Sequence, residues 1–253
     1  MPLVFNILES AASEQEKEQM TPTGLPGQEP GQLQQQLYTH IAALSRTLLE
    51  EFLITTVPGS AAWFKGDERP QSQLVWVVSP FEWDLLALAA ISVALQQDEE
   101  LLLGVLVLAD HGNVAVITGE KGEDSAWNGS LRYNVNDNVM RDEAQGMQVI
   151  PDQVPPPYAS KLLAFRRKWD IPVNVNRLPQ NATSFLCDVA CGQADFSLGF
   201  GISYHDIAAA ICIVEQAGGI VTDFEGSRDG LYEGVSYFAA NKKIHQQFTG
   251  LVV

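Results

Sequence analysis

Glu82 and Asp84 flank a tryptophan in Ser79-Pro80-Phe81-Glu82-Trp83-Asp84, directly after an apolar run, Leu74 to Val78. Acidic groups at the end of a buried strand are hard oxygen donors on a rigid element, the donor type that Mg²⁺ or Ca²⁺ takes. A third acid, Asp206, opens the run His205-Asp206-Ile207-Ala208-Ala209-Ala210. It reads either as a metal ligand or as the cap of a helix beginning at Ile207. His205 beside it has the side chain for acid–base work, but a single histidine at a helix start reads first as structural. Cys187 and Cys191, four apart on one helix face, and Cys212 read as buried thiols of a reducing compartment. The basic cluster KLLAFRRKWD (161–170) reads as a solvated helix face.

These groups need elements to hold them. Residues 1–31 are expected to be a polar N-terminal segment, with TPTGLPGQEPG a turn-prone linker, and 32–253 a single domain. Leu33, Leu37, Ile41, Leu44, Leu48 and Leu49 recur at helical spacing and predict one amphipathic helix over 32–52. A Pro-Gly turn at 58–59 and the charged loop KGDERPQSQ lead to the strand Leu74–Val78. The Ala/Leu content after Trp83 predicts a helix, giving way to a strand over Ala90–Leu95. LLLGVLVLA (101–109) and NVAVITGE (113–120), joined by Asp-His-Gly, predict a hairpin. SFLCDVACGQA (184–194) and HDIAAAICIVEQAGG (205–219) predict helices closing on Gly192 and Gly218–Gly219. IVTDFEG and YFAAN then predict strands, and KKIHQQFTGLV a terminal helix. Without strict βαβ alternation the class is α+β, layered, and not a doubly wound sheet.

The formal charge of −16 over 253 residues repels nucleic acid and anionic membranes, and no partner of either kind is expected. It leaves room for a phosphorylated small molecule, because one bound metal ion reverses the field locally. The first residues, MPLVFNILESAASEQEKEQ, lack a basic stretch followed by a long apolar one. With no apolar run of about 18 residues either, a cytoplasmic location is expected.

The stretch NATSFLCDVACGQADFSLGFGISYHDIAAAICIVEQAGGIVTDFEG resembles the inositol monophosphatase family of magnesium-dependent sugar-phosphate phosphatases. In that family the segment typically reads G-S-A-A-L-x-L-C-x-V-A-x-G-x-A-D, then W-D-x-A-A-x-x-x-I-V-x-E-A-G-G-x-V-T-D. LCDVACGQAD, HDIAAAICIVEQAGG and VTD carry the match. GVLVLADHGNVAVITGEKGEDSAWNG looks like the family's central hairpin and its Asn-Gly turn, and SYFAANKKIHQQF like its closing strand and helix. The resemblance implies a layered αβαβα sandwich of the inositol monophosphatase / fructose-1,6-bisphosphatase type, and often a homodimer.

It also implies a chemistry to look for. Carboxylates from a G-E-E turn, a D-P-[IL]-D-G-T strand end and a W-D motif hold Mg²⁺, which binds the phosphate and activates water. The Gly-Thr at the following helix N-terminus offers backbone N–H groups to the phosphate. Here the strand-end motif has become Ser79-Pro80-Phe81-Glu82-Trp83-Asp84. The first ligand is a neutral serine and the second a longer Glu82. Trp83 crowds the phosphate approach, and Asp84 stands for the hydroxyl. Asp67 and Glu68 come nearest the G-E-E turn but lie too close to Ser79 in sequence to fit without rearrangement. Asp206 matches the W-D aspartate, with His205 for its Trp. Gly199 stands where the family often has a substrate-contacting Glu, and Arg177 matches a basic position that could meet an anion.

The expected protein therefore has a degenerate metal site, Ser79/Glu82/Trp83/Asp84. Glu82 and Asp206 are its remaining candidate metal ligands, Arg177 is its candidate phosphate contact, and Mg²⁺ is bound weakly or not at all. It would act as a binding or assembly module, as a homodimer or with a protein partner. The alternative is a Mg²⁺-dependent phosphomonoesterase with a remodelled site.

Overall fold

The computed structural model describes residues 46–83, 88–110, 113–127, 131–132, 134–137, 146–149, 159–160, 182–234 and 236–249. The N-terminal segment, the helix expected over 32–45, Asp84, the Asn128–Gly129 turn, the 161–170 cluster and Arg177 lie outside them.

Helix α1, residues 46–56, is the end of the predicted amphipathic helix. Its face of Leu49 and Leu53 is buried against Phe64, Trp76, Val78, Ile91, Val93 and Val107. The chain leaves it through Pro58 and Gly59, whose φ of 87° suits glycine. Strands β1 (Ala61–Phe64), β2 (Leu74–Trp83), β3 (Leu88–Gln97), β4 (Glu100–Asp110), β5 (Asn113–Glu120), β6 (Ala126–Trp127) and β7 (Leu131–Arg132) form one sheet in that order. β1 and β2 run parallel, and every later pair is antiparallel. A second sheet has the order β10 (Gly219–Thr222), β11 (Ser236–Asn241), β9 (Phe196–Phe200), β8 (Gly146–Val149).

Between the sheets lie α2 (Ala182–Ala190) and α3 (Tyr204–Gln216). Their buried side chains join Val77, Ala94, Leu106 and Ile117 of the first sheet to Val221, Tyr237 and Ala239 of the second in one core. A short helix, α4 (Asp229–Tyr232), follows β10, and α5 (Lys242–Thr249) closes the chain. Phe248 of α5 stacks on Phe238 of β11 at 3.8 Å between centroids, and Phe224 packs edge-on against Phe248 at 5.0 Å. With α1 on the far side of the first sheet, the layers read αβαβα, as the sequence predicts.

The segment after Ser79 departs from expectation. β2 does not stop at Val78 and hand over to a helix; it continues through Trp83 and pairs with β3, Glu82 facing Ala90 and Trp83 facing Ala89. Leu88 and Ala89, expected in a helix, belong to β3, which pairs with β4 along its length. Helix propensity of the Ala/Leu run is a weak preference, and pairing with strands on both sides overrides it. Between Ser79 and Glu82, β2 advances three residues while β3 advances two, a bulge that re-aims the strand beside the motif.

The position of α3 depends on two glycines. A Cβ on Gly104 of β4 would lie 2.4 Å from the Ala209 carbonyl oxygen, and one on Gly119 of β5 would lie 2.8 Å from the Ile213 Cα. The helix answers with its own small residues, Ala208, Ala209, Ala210 and Cys212, all fully buried. Gly104→Ala should therefore push helix and sheet apart and cost about 1–3 kcal/mol. Urea unfolding of the variant would check this, and an unchanged midpoint would contradict the close seat.

Candidate functional site

The N-terminus of α3 packs on β1, β2 and β3, and its first-turn residues reach these strands with separate polar or ring contacts. Tyr204 donates its hydroxyl to Gln96 Oε1 of β3 at 3.3 Å. His205 meets Trp63 of β1 edge-on, with ring centroids 4.4 Å apart. Asp206 lies between β1 and β2. Its Oδ2 accepts a hydrogen bond from Lys65 Nζ at 2.5 Å, and its Oδ1 accepts one from the Ser79 hydroxyl at 3.1 Å. Its backbone carbonyl accepts the Thr183 hydroxyl of α2 at 2.7 Å.

The sheet register accounts for this meeting. Phe64 of β1 pairs with Val78 of β2, so the next residues, Lys65 and Ser79, stand level, Lys65 just past the end of β1 and Ser79 within β2 at the start of its bulge. Asp206 belongs to the first helical turn and does not cap it, because Ser203 is the N-cap residue. The reading of Asp206 as the cap of a helix beginning at Ile207 is corrected, because the helix begins at Tyr204. Within that turn the positive end of the helix dipole favours a carboxylate, and the ammonium of Lys65 adds to it. The Asp206 side chain is 11% exposed and that of Lys65 is 52% exposed, so the pair is closed below and open to solvent at the lysine stem.

Asp67 and Glu68 follow β1 directly, the Asp67 N–H bonding back to the Phe64 carbonyl at 3.0 Å. Asp67 is engaged elsewhere: Arg46 of α1 holds its carboxylate, with Nη2–Oδ2 at 2.5 Å and Nη1–Oδ1 at 3.3 Å, and Trp63 Nε1 donates to its carbonyl at 3.0 Å. Glu82 and Trp83 take their places on the backbone of β2. Among the described residues no three His, Cys, Asp or Glu side chains converge as a metal cluster would require.

The place of Gly199 is filled from across the sheet. Gly199 of β9 pairs with Tyr237 of β11, and a Cβ on Gly199 would lie 2.4 Å from the tyrosine ring. The Tyr237 hydroxyl shares a hydrogen bond with Ser197 at 3.0 Å, and the side chain is fully buried. Asp223 of the VTD motif is used locally, its Oδ1 accepting the backbone N–H groups of Glu225 at 2.9 Å and Ser227 at 2.8 Å. The three cysteines are free. Burial raises the Cys212 thiol to about 12 and pushes Cys187 up as well, so both stay protonated and unreactive.

Burial pushes His205 down to about 4, against the pull of Asp206 and with the push of Lys65. Its Nδ1 shares a 3.3 Å hydrogen bond with the Ser203 hydroxyl, and among the described residues its Nε2 has no partner. The ring is therefore neutral at pH 7. Lys65 was not among the residues singled out from the sequence. A lysine between an apolar strand and a glycine has no signal of its own until the register sets it beside Asp206.

Sequence comparison matches residues 85–253 to the inositol monophosphatase family. A Thermotoga maritima protein named "Fructose-1,6-bisphosphatase/inositol-1-monophosphatase" is 27% identical over 183 residues, 70% of this chain and 67% of its own length. Two Neisseria meningitidis proteins named "Putative Nus factor SuhB" are 43% identical over 67 residues, 26% of this chain. That match spans only 25% of their length. Among solved structures, the Bartonella henselae extragenic suppressor protein suhB superposes with a TM-score of 0.70 at 21% identity, covering 98% of both chains. The Staphylococcus aureus inositol monophosphatase-II superposes at 0.72 with 16% identity, covering 98% of this chain and 91% of that one. At these identities the structures establish a shared fold.

Two outcomes follow from this geometry. Gly199→Ala should cost about 1–3 kcal/mol in urea unfolding, because Tyr237 must leave its site. Adding Tyr237→Ala should then cost less than it does alone; additive costs would contradict the contact. His205 ordinarily titrates near 6.5 and here holds out to about 4, so the unfolded chain binds more protons through that window. Stability should fall as pH drops from about 6.5 towards 5, above the carboxylate range. His245, also pushed down by burial, acts in the same sense. In a pH series of melting temperatures His205→Gln should flatten part of that slope.

Proposed function

The chain belongs to the inositol monophosphatase family, and from that premise we propose that it is a family scaffold without metal-dependent hydrolysis, acting as a binding or assembly module. The observation that carries this reading is the set Lys65–Asp206–Ser79, in which an ammonium balances the carboxylate and each of its oxygens accepts a side-chain hydrogen bond. Mg²⁺ demands near-octahedral oxygen coordination and is held through carboxylates that are free to receive it. Among the described residues the donor set does not fit that ion: one carboxylate is bound to an ammonium, and its neighbour on β2 is a neutral hydroxyl. Tyr237 over Gly199 supports the same reading, since its ring leaves no room for a side chain at position 199.

The partner of such a module is a protein, either a second copy of the chain or another member of a complex, bound by the single domain 32–253 or by the polar sequence 1–31. The Neisseria relatives are named as a factor and not as a hydrolase, which supports a role exercised through association. A phosphorylated small molecule held without hydrolysis, with Arg177 as its contact, is compatible with this role. Three unpaired cysteines fit work in the reducing cytoplasm.

A second reading keeps the protein an enzyme. Glu82 and Asp84, with Asp206 released from its lysine, would hold Mg²⁺ for phosphomonoester hydrolysis. The Thermotoga relative, named for that activity and matched over 70% of this chain, is what favours it.

Mg²⁺-dependent phosphate release from inositol phosphates, fructose 1,6-bisphosphate and adenosine bisphosphate separates the two, with Asp206→Ala as control. We expect no release above background from folded protein. Turnover that disappears in the Asp206→Ala variant would sink the module reading and establish the enzyme.

A further inference from the structure

We propose that the Lys65 ammonium is the built-in counter-cation of Asp206 and keeps divalent metal off this carboxylate. The inference rests on the module reading and adds the residue responsible for it. Three observations converge on it. The ammonium binds Oδ2 directly and the Ser79 hydroxyl donates to Oδ1, so a metal on this carboxylate would have to share it with a bound positive charge. The position of Lys65 is set by backbone: it follows Phe64, whose pairing with Val78 brings the next residue level with Ser79. The carboxylate is mostly buried while the lysine stem reaches solvent, so water screens a competing cation only weakly at the oxygen itself. A dication on the same carboxylate would then lie within ion-pair distance of a fixed positive charge.

The surroundings make the lysine necessary. The groups facing the pair from the packed elements are Ser79 of β2, His205 of α3 and, from the turn after β1, Asp67. Ser79 carries no charge and Asp67 is held by Arg46. The cation that pairs with Asp206 is Lys65. An ammonium is a compact point charge with three donors, suited to a single carboxylate oxygen. Unlike a metal ion it is covalently tied to the chain and does not exchange.

The test is a thermal unfolding cycle on the full chain, without substrate, in EDTA and in millimolar Mn²⁺. The wild-type melting temperature should be the same in both. Lys65→Met should lower it by roughly 5 °C, because a mostly buried carboxylate is left uncompensated. Lys65→Met/Asp206→Asn should recover much of that loss. A saturable Mn²⁺ stabilisation of the wild type that Asp206→Asn abolishes would overturn the proposal, as would an additive cycle. Should Lys65→Met fail to fold, its rescue by Asp206→Asn reads the same coupling, and failure of both variants counts against it. The functional reading fails separately. Phosphate release with an intact, metal-indifferent pair would sink only that reading, and an additive cycle in inert protein would sink only the counter-cation.

Discussion

The close seat of α3 on the first sheet is the constraint from which the rest follows. Gly104 and Gly119 remove the side chains that would hold the helix away, and the helix meets them with alanines and a cysteine. Contact at that range has little slack, because a gap of even half an ångström forfeits much of the dispersion energy on both sides. The seat fixes the helix rotation, and the rotation decides which first-turn side chain faces which strand. Tyr204, His205 and Asp206 reach β3, β1 and the β1–β2 edge for that reason.

At the end of this helix, electrostatics takes over from packing. The protein carries a formal charge of −16, and Lys121–Glu100 and Lys243–Asp137 are ion pairs with both partners exposed. Such pairs contribute little, since water screens them and two flexible side chains must be ordered. Lys65–Asp206 differs because one partner is mostly buried, at a helix N-terminus, with a third group on its remaining oxygen. A buried carboxylate of this kind has to be matched by something, a metal ion or a side chain. Here a side chain one residue past the end of β1 does it. The same helix end is tied to α2 through Thr183, so the ion pair and the central layer are ordered together.

Much of the architecture was legible in one dimension. The hairpin of β4 and β5, the helices ending on Gly192 and Gly218, and the closing strand and helix all appear where periodicity and glycine placed them. The expectation failed after Ser79, where Leu, Ala and Trp favour a helix locally but strands on either side recruit the segment into the sheet. It failed again at Asp206, where the capping alternative falls because Ser203 takes that role. Both misses are places where a local preference of a few tenths of a kcal/mol was set against many tertiary contacts.

What the sequence by itself determined is the layered class, the family and the departures from its motif, since a serine for an aspartate or a glycine for a glutamate is visible without coordinates. What only the tertiary structure decided is how those departures are filled. Lys65 and Asp206 are 141 residues apart, and Tyr237 lies 38 residues beyond Gly199 (237 − 199). No local pattern joins them, because strand register and the rotation of a packed helix bring them together, and both are properties of the whole sheet and its core.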